Sequence, residues 1–237
     1  MRATRSTIAA LGACAVLAGC SSAPVDDAPV VRIKEAAKPS VSRPLDQVLP
    51  TGDELVTILG TPGFMGQLVE GGPDMLLQGV RESEATPVEC VSAGYRLQKV
   101  VYAASPVREV ATQSWAGGDL NGPPLSGFFG AVKFATADDA KGFFAASADK
   151  WRRCNGQTMV LHQPEHGADG VSRITDVVVD STVVSAVLLH DDGSTIQRAL
   201  GVAADCVVDV EIADVDRGGG ARGAVAVANL MLQKIKN

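Results

Sequence analysis

Between positions 136 and 154 the apolar residues Ala140, Phe143, Phe144, Ala148, Trp151 and Cys154 recur at helical spacing, so one stripe of this segment faces a core. Thr136, three residues ahead of Asp139, fits an N-cap whose hydroxyl accepts an otherwise unpaired backbone N–H. Asp138 and Asp139 suit the positive end of the helix dipole; Lys150, Arg152 and Arg153 suit the negative end. Gly156 is placed for the left-handed turn that stops such a helix. The segment carries one of the two Trp and two of the six Phe of the chain, so the core is expected to be built on it.

Ahead of it, Leu45, Val48 and Leu49 make one short apolar turn. Thr51 and Glu54 have the spacing of a capping box, followed by Leu55, Ile58 and Leu59 on one helical face and by Gly60 as the stop. From Gly60 to Pro87, Gly and Pro are frequent, and Met65, Leu68, Met75, Leu76 and Leu77 are scattered among them. So long a segment reads as a cleft rim or flap, or as a loop with a short helix over Asp74–Val80. Strand signals begin at Cys90, with Arg96–Tyr102 and Arg108–Trp115 as candidates, and Gly117-Gly118 and Gly122-Pro123-Pro124 mark turns. Phe128–Phe134 leads into the helix. Beyond it, Thr158–His162 and Val171–Val179 read as strands, and Val183–Leu189 with Thr195–Val202 form a hairpin about Asp191-Asp192-Gly193. Cys206–Ile212 adds a neighbouring strand. Arg217–Gly220 breaks the chain before a last helix with Ala224, Val227, Ala228, Met231 and Ile235 on one face and Lys234 and Lys236 near its C-terminal end. Hairpin-joined strands make an antiparallel sheet, so the expected fold class is α+β: a meander with about three helices packed on one face, in one domain.

Composition adds location. Hydrophobic residues are 46% of the 237-residue chain and aromatic residues 4%, so Val, Ala and Leu must fill the core. The net charge of −6, with no Lys/Arg cluster, argues against nucleic acid and against electrostatic docking on anionic lipid. Arg2 and Arg5 precede an apolar run, Ile8–Leu17, that is too short to span a bilayer as a mature helix. Leu17-Ala18-Gly19-Cys20 then resembles a bacterial lipoprotein signal, which implies lipidation of Cys20 and a stable membrane anchor; an ordinary cleaved signal or a simple anchor helix is the alternative. Residues 1–19 are thus expected to be a signal peptide, 20–43 a lipidated tether and 44–237 the folded domain. The tether, rich in Pro, Ser and Ala, would reach roughly 75 Å at about 3.3 Å per residue.

Chemistry is sparse. With Cys14 in the leader and Cys20 lipidated, Cys90, Cys154 and Cys206 remain, enough for one disulfide and one free thiol. We place the bridge at Cys90–Cys154, where it would tie the first strand region to the end of the long helix. Cys206, inside the apolar run Cys-Val-Val-Asp-Val, reads as a buried thiol; as a nucleophile it would need a base, and His190 is the one in the same meander. His162-Gln-Pro-Glu-His166 matches a zinc-protease spacing, but that mechanism needs a helix and Pro164 interrupts it. No pair of Cys-x-x-Cys ligands, phosphate loop, nucleophile elbow or dinucleotide fingerprint is present, so neither metal nor cofactor is expected. Trp115 and Trp151 could stack a ligand, although Trp151, on the apolar stripe, reads as core, and Arg198 could hold an anion, a salt-bridged surface Arg being the ordinary alternative.

Several pieces together resemble the PknH-like extracellular sensor domain: Pro87-Val-Glu-Cys90, Val101-Tyr102, the helix end Trp151-Arg-Arg-Cys154-Asn-Gly, and Gln197-Arg-Ala-Leu200 ahead of a strand through Asp209. The resemblance implies an α+β domain with a ligand cleft, and it supports the Cys90–Cys154 pairing. It also implies a second disulfide whose places are held here by Ile196 and Ala213, so that bridge is expected to be missing. The expected function is therefore a lipid-anchored, extracytoplasmic, non-enzymatic module on the outer face of the cell membrane that binds a small ligand or an envelope component. The alternatives are a partner-binding lipoprotein that assists an envelope complex and a hydrolase using Cys206 or His162/His166.

Overall fold

The computed structural model describes residues 43–118, 124–162, 169–214 and 220–236. The leader, Cys20, nearly all of the tether and His166 lie outside them. A ten-stranded antiparallel sheet organises the chain: β1 (Gly63–Met65), β2 (Val69–Gly71), β3 (Ala85–Thr86), β4 (Val107–Gly117), β5 (Leu125–Phe134), β6 (Thr158–Leu161), β7 (Gly170–Val179), β8 (Val183–His190), β9 (Thr195–Ala203) and β10 (Cys206–Asp214). Their spatial order is β1-β4-β5-β10-β9-β8-β7-β6-β3, with β2 also paired to β4. The helices are α1 (Gly52–Leu59), α2 (Val91–Gly94), α3 (Lys99–Tyr102), α4 (Ala137–Cys154) and α5 (Arg222–Lys236).

The class is the expected one, but the helices cover both faces rather than one. Val184, Leu200, Val202 and Val207 pack with Phe144, Ala148 and Trp151 of α4. Their sequence neighbours Val183, Ala199 and Val208 pack with Val227, Ala228 and Met231 of α5, together with Leu45, Val48 and Leu55 near the start of the domain. Alternate residues of a strand point to opposite faces, so strands apolar at every position must be covered on both. Thr136 caps α4 by accepting from the Asp139 N–H at 3.1 Å, and Thr51 and Glu54 close the capping box of α1. Lys234 of α5 reaches back to Glu54 at 2.6 Å and to the Leu49 carbonyl at 2.8 Å, which locks the N-terminal turn to the last helix.

Two expectations fail locally. Arg96–Tyr102 is not a strand: Leu97 has φ +50° and α3 follows at once. Its backbone is satisfied elsewhere, because Leu97 N–H donates to Asp209 at 2.9 Å while Leu77 exchanges bonds with Leu97 and Lys99 at 2.9 and 2.7 Å. Gly130, opposite, has no Cβ to collide with the Leu97 side chain, which a Cβ would approach to 2.6 Å. Nor is there a helix over Asp74–Val80; a single 3-10 turn, Pro73–Met75, precedes that extended contact.

The Cys90–Cys154 disulfide is formed and joins the entry to α2 to the last residue of α4. Beside it the buried Trp151 indole donates to Ser92 at 3.2 Å. With its cysteines 64 positions apart, the bridge is worth about 4 kcal/mol of chain entropy, so replacing both cysteines by Ser is expected to lower unfolding free energy by about that amount in a denaturant titration.

Candidate functional site

The centre of the sheet face under α4 is charged. Asp209 and Glu211 alternate with Val208, Val210 and Ile212 on β10, so the apolar side chains face α5 and the carboxylates face α4. Arg198 stands directly opposite Glu211 on β9. Its Nη2 donates to Asp209 Oδ1 at 2.5 Å, its Nε reaches the Val210 carbonyl at 3.4 Å, and its Nη1 lies 3.7 Å from Glu211 Oε2 without a hydrogen bond. The guanidinium lies over Trp151 at 5.8 Å from the ring centroid. Arg198 is 0% exposed: it is neither the surface residue nor the accessible anion holder that the sequence suggests.

Asp209 also accepts the Leu97 N–H at 2.9 Å and faces the Tyr102 hydroxyl at 3.5 Å. Burial, and then the charge of Asp209, push the Tyr102 phenol well above its ordinary range. These contacts lay residues 95–102 across the sheet face and aim Arg96 at β5, where its guanidinium stacks on Phe128 at 3.6 Å and pairs with Glu211. Burial lowers the Arg96 pKa from its ordinary value and Glu211 opposes that pull. Two arginines and two carboxylates thus share one neutral cluster.

At its solvent edge lies a cleft of about 180 Å³. Thr112, Ser114 and Phe128 form its floor, Arg96 and Leu97 one wall, and Gln67, Val69 and Leu77 of the 60–87 segment its rim. The cleft-rim reading of that segment therefore holds. Gln113 donates to the Gly66 carbonyl at 2.9 Å and the Gly66 N–H to the Ser114 carbonyl at 2.8 Å, fastening rim to floor.

The other candidates fall elsewhere. Trp115 is 2% exposed in the core on the α5 side, with its ring against the Cα atoms of Gly63 and Gly117, so it has no face for a ligand. Ile196 and Ala213 are directly opposite on β9 and β10, and no thiol is there to bridge them. His162 pairs with the exposed Asp169 at 3.1 Å, at the end of a strand and not on a helix. Among the described residues no group of three or more His, Cys, Asp or Glu is placed to hold a metal ion.

Cys206 is buried and free. Its Sγ approaches Asp205 at 3.5 Å, whereas His190 bonds to Ser172 at 3.3 Å near the other end of β9, roughly 26 Å away at about 3.3 Å per residue. Burial, then Asp205, raises the thiol from 9.0 to about 12, against a smaller opposing pull from Lys133, so it stays protonated at neutral pH. A thiol that ionises later in the folded than in the unfolded chain contributes stability that is complete below pH 9.0 and lost as pH climbs toward about 12. Tyr95 and Tyr102 are shifted the same way, so Cys206→Ala is expected to remove only the part of the alkaline decline that starts near pH 9.0, in urea titrations run from pH 7 to 11.

Sheet, two helical layers and an open cleft beside a buried charge cluster define a mixed α/β module. It belongs to the PknH-like extracellular domain family, whose sequence model matches residues 41–234. Among solved structures, the extracellular domain of PknH from Mycobacterium tuberculosis matches with a TM-score of 0.67 at 22% identity, over 84% of this chain and 98% of that one, and shares the fold. A putative uncharacterized protein from Mycobacterium smegmatis matches at a TM-score of 0.40 and 10% identity, over 83% of this chain and 97% of that one. No curated protein matches the chain. Among the described residues no helix is long and apolar enough to cross a membrane.

Proposed function

We propose that this chain is a lipid-anchored, extracytoplasmic sensor-like domain whose cleft beside Arg96 takes a small ligand without transforming it. The observation that carries the reading is the cleft itself: a concave site with hydroxyl and amide groups on one side, apolar rims, and a cation held in place by Phe128 and Glu211. The buried ion pairs make its wall rigid, which lowers the cost of ordering on binding. Burial and the Asp205 carboxylate keep the free thiol protonated, and His162 is engaged by a surface carboxylate, so the residues present favour binding over catalysis. Anchoring rests on the Leu17–Cys20 motif, with the tether holding the domain off the outer face of the membrane.

A specific observation favours a second reading, in which the rim docks on an envelope protein. Phe64, Leu68, Val69, Met75 and Leu77 all expose apolar surface, and all lie in the 60–87 segment. Native mass spectrometry of the protein extracted from its own envelope separates the two. A reproducible added mass that is lost on denaturation is expected; an apo mass, with a protein recovered by cross-linking through the rim, would replace the first reading by the second.

A further inference from the structure

The cleft that carries the reading above also points to the chemical class of its ligand, because its charge and its apolar surroundings are both one-sided. Arg96 is the single ionised side chain in its lining. Glu211 takes Nη1 of that guanidinium, and the Phe128 ring fixes its plane at 3.6 Å; among the described residues Nη2 and Nε have no acceptor. The hydroxyls of Thr112 and Ser114 stand on the same floor, one residue pair apart on β4. An incoming carboxylate or phosphate would meet the outer nitrogens of a guanidinium whose Nη1 is held by Glu211 behind it, two hydroxyl donors, and no acid in the lining itself.

The apolar surroundings follow from the strand register. Ser114, Phe128, Glu211 and Arg198 lie directly opposite one another across β4, β5, β10 and β9. Two residues further along each strand, on the same face, the next row runs Phe64, Ala116, Ser126, Ala213 and Ile196 from β1 to β9. Ala116, Ser126 and Ala213 are short, so this row lies low on the sheet face, and Phe64 stands at its outer end 85% exposed. The cleft's 180 Å³ is below the roughly 300–1,000 Å³ of a site that encloses a drug-sized ligand. It holds a head group and the first few atoms behind it, and the low row beside it is the surface on which a longer chain can lie.

We propose that the cleft binds a single-chain amphiphile with one acidic head group, the head on Arg96 and the Thr112 and Ser114 hydroxyls, the chain along Ser126, Ala116 and Phe64. The proposal rests on the cleft being a ligand site and adds what the ligand is. Residues 41–237 form one compact unit, so the unlipidated chain from Ser21 onward retains the whole of it and avoids detergent.

Titration with dodecanoate below its micelle concentration, followed by calorimetry and by backbone amide shifts, tests the assignment. Dodecanoate is expected to saturate with a micromolar Kd and to move the Leu97, Thr112 and Ser114 amides. Dodecanol, which lacks the charge, and hexanoate, which lacks the chain, are expected to bind at least tenfold more weakly. Arg96→Gln should remove the preference for dodecanoate over dodecanol. Because that variant also disturbs Glu211, Phe64→Ser serves as a second one: on an exposed side chain it leaves the fold intact, and it should weaken dodecanoate several-fold while leaving hexanoate unchanged. Equal binding of dodecanoate and dodecanol, or saturation that leaves the cleft amides unmoved, would overturn the proposal. So would co-sedimentation with phosphatidylglycerol vesicles in the absence of dodecanoate binding, which would assign the row through Phe64 to a membrane surface. If dodecanoate fails while an adduct from the envelope protects the cleft amides from hydrogen exchange, the ligand class is wrong and the binding reading stands. If neither leaves a trace, both fall.

Discussion

The carboxylate of Asp209 is the contact on which the rest of this structure depends. It sits on a central strand, 3% exposed, and gathers the Arg198 guanidinium, the Leu97 N–H and the Tyr102 hydroxyl. A buried charge so held is tolerated because both carboxylate oxygens accept hydrogen bonds, one of them from a cation; removing one partner of such a pair typically costs about 3–5 kcal/mol. What the carboxylate secures is geometric. Leu97 sits in a left-handed conformation that costs a non-glycine residue of order 1–3 kcal/mol, and it persists because its N–H has a buried acceptor and its side chain has the space over Gly130. With Leu97 fixed, Arg96 turns toward Phe128 on one side and Gln98 ties Val80 of the rim on the other, through its Oε1 at 3.0 Å. One carboxylate thereby positions both a wall of the cleft and the segment that overhangs it.

Around that point the fold is held by redundant means. The α4 layer is clamped at its C-terminal end by the disulfide and by the Trp151–Ser92 bond, and its Phe143 ring stacks on Tyr102 at 4.5 Å. The α5 layer is almost wholly apolar, tied to the N-terminal turn by Lys234. The charge cluster therefore lies between a cross-linked layer and an open cleft. Glu211 links the two sides, since it meets Arg198 in the interior and Arg96 at the cleft edge.

Elements governed by local chemistry were legible in the chain. The Thr136 cap and apolar stripe of α4, the Asp-Gly hairpin turn and the Thr51–Glu54 box are all short-range signals, and they hold to within a few residues. Residues 96–102 misled because Val100, Val101 and Tyr102 carry strand propensity, while the bond that decides their path comes from 107 to 112 residues away. The second helical layer was missed although its signal was present: Val183–Leu188 is buried at every position, which a strand covered on one face does not require. The site was the least legible part. Arg198 and Trp115 drew notice by residue type and are interior, whereas Arg96 lies in the misread stretch and Phe128 in an ordinary strand, so no spacing marked them. Asp209 and Glu211, acids alternating through an otherwise apolar central strand, were the sequence's one sign of a buried polar cluster.

The most direct test of this account is the hydrogen-exchange rate of the Leu97 amide in the native protein. If Asp209 holds that N–H as described, the amide should exchange only through global unfolding, as slowly as the amides of β9 and β10, although it lies outside any strand. In Asp209→Ala it should exchange at the rate of an open loop while β9 stays protected. Fast exchange of Leu97 in the wild-type protein would contradict the claim that the buried carboxylate sets the cleft wall.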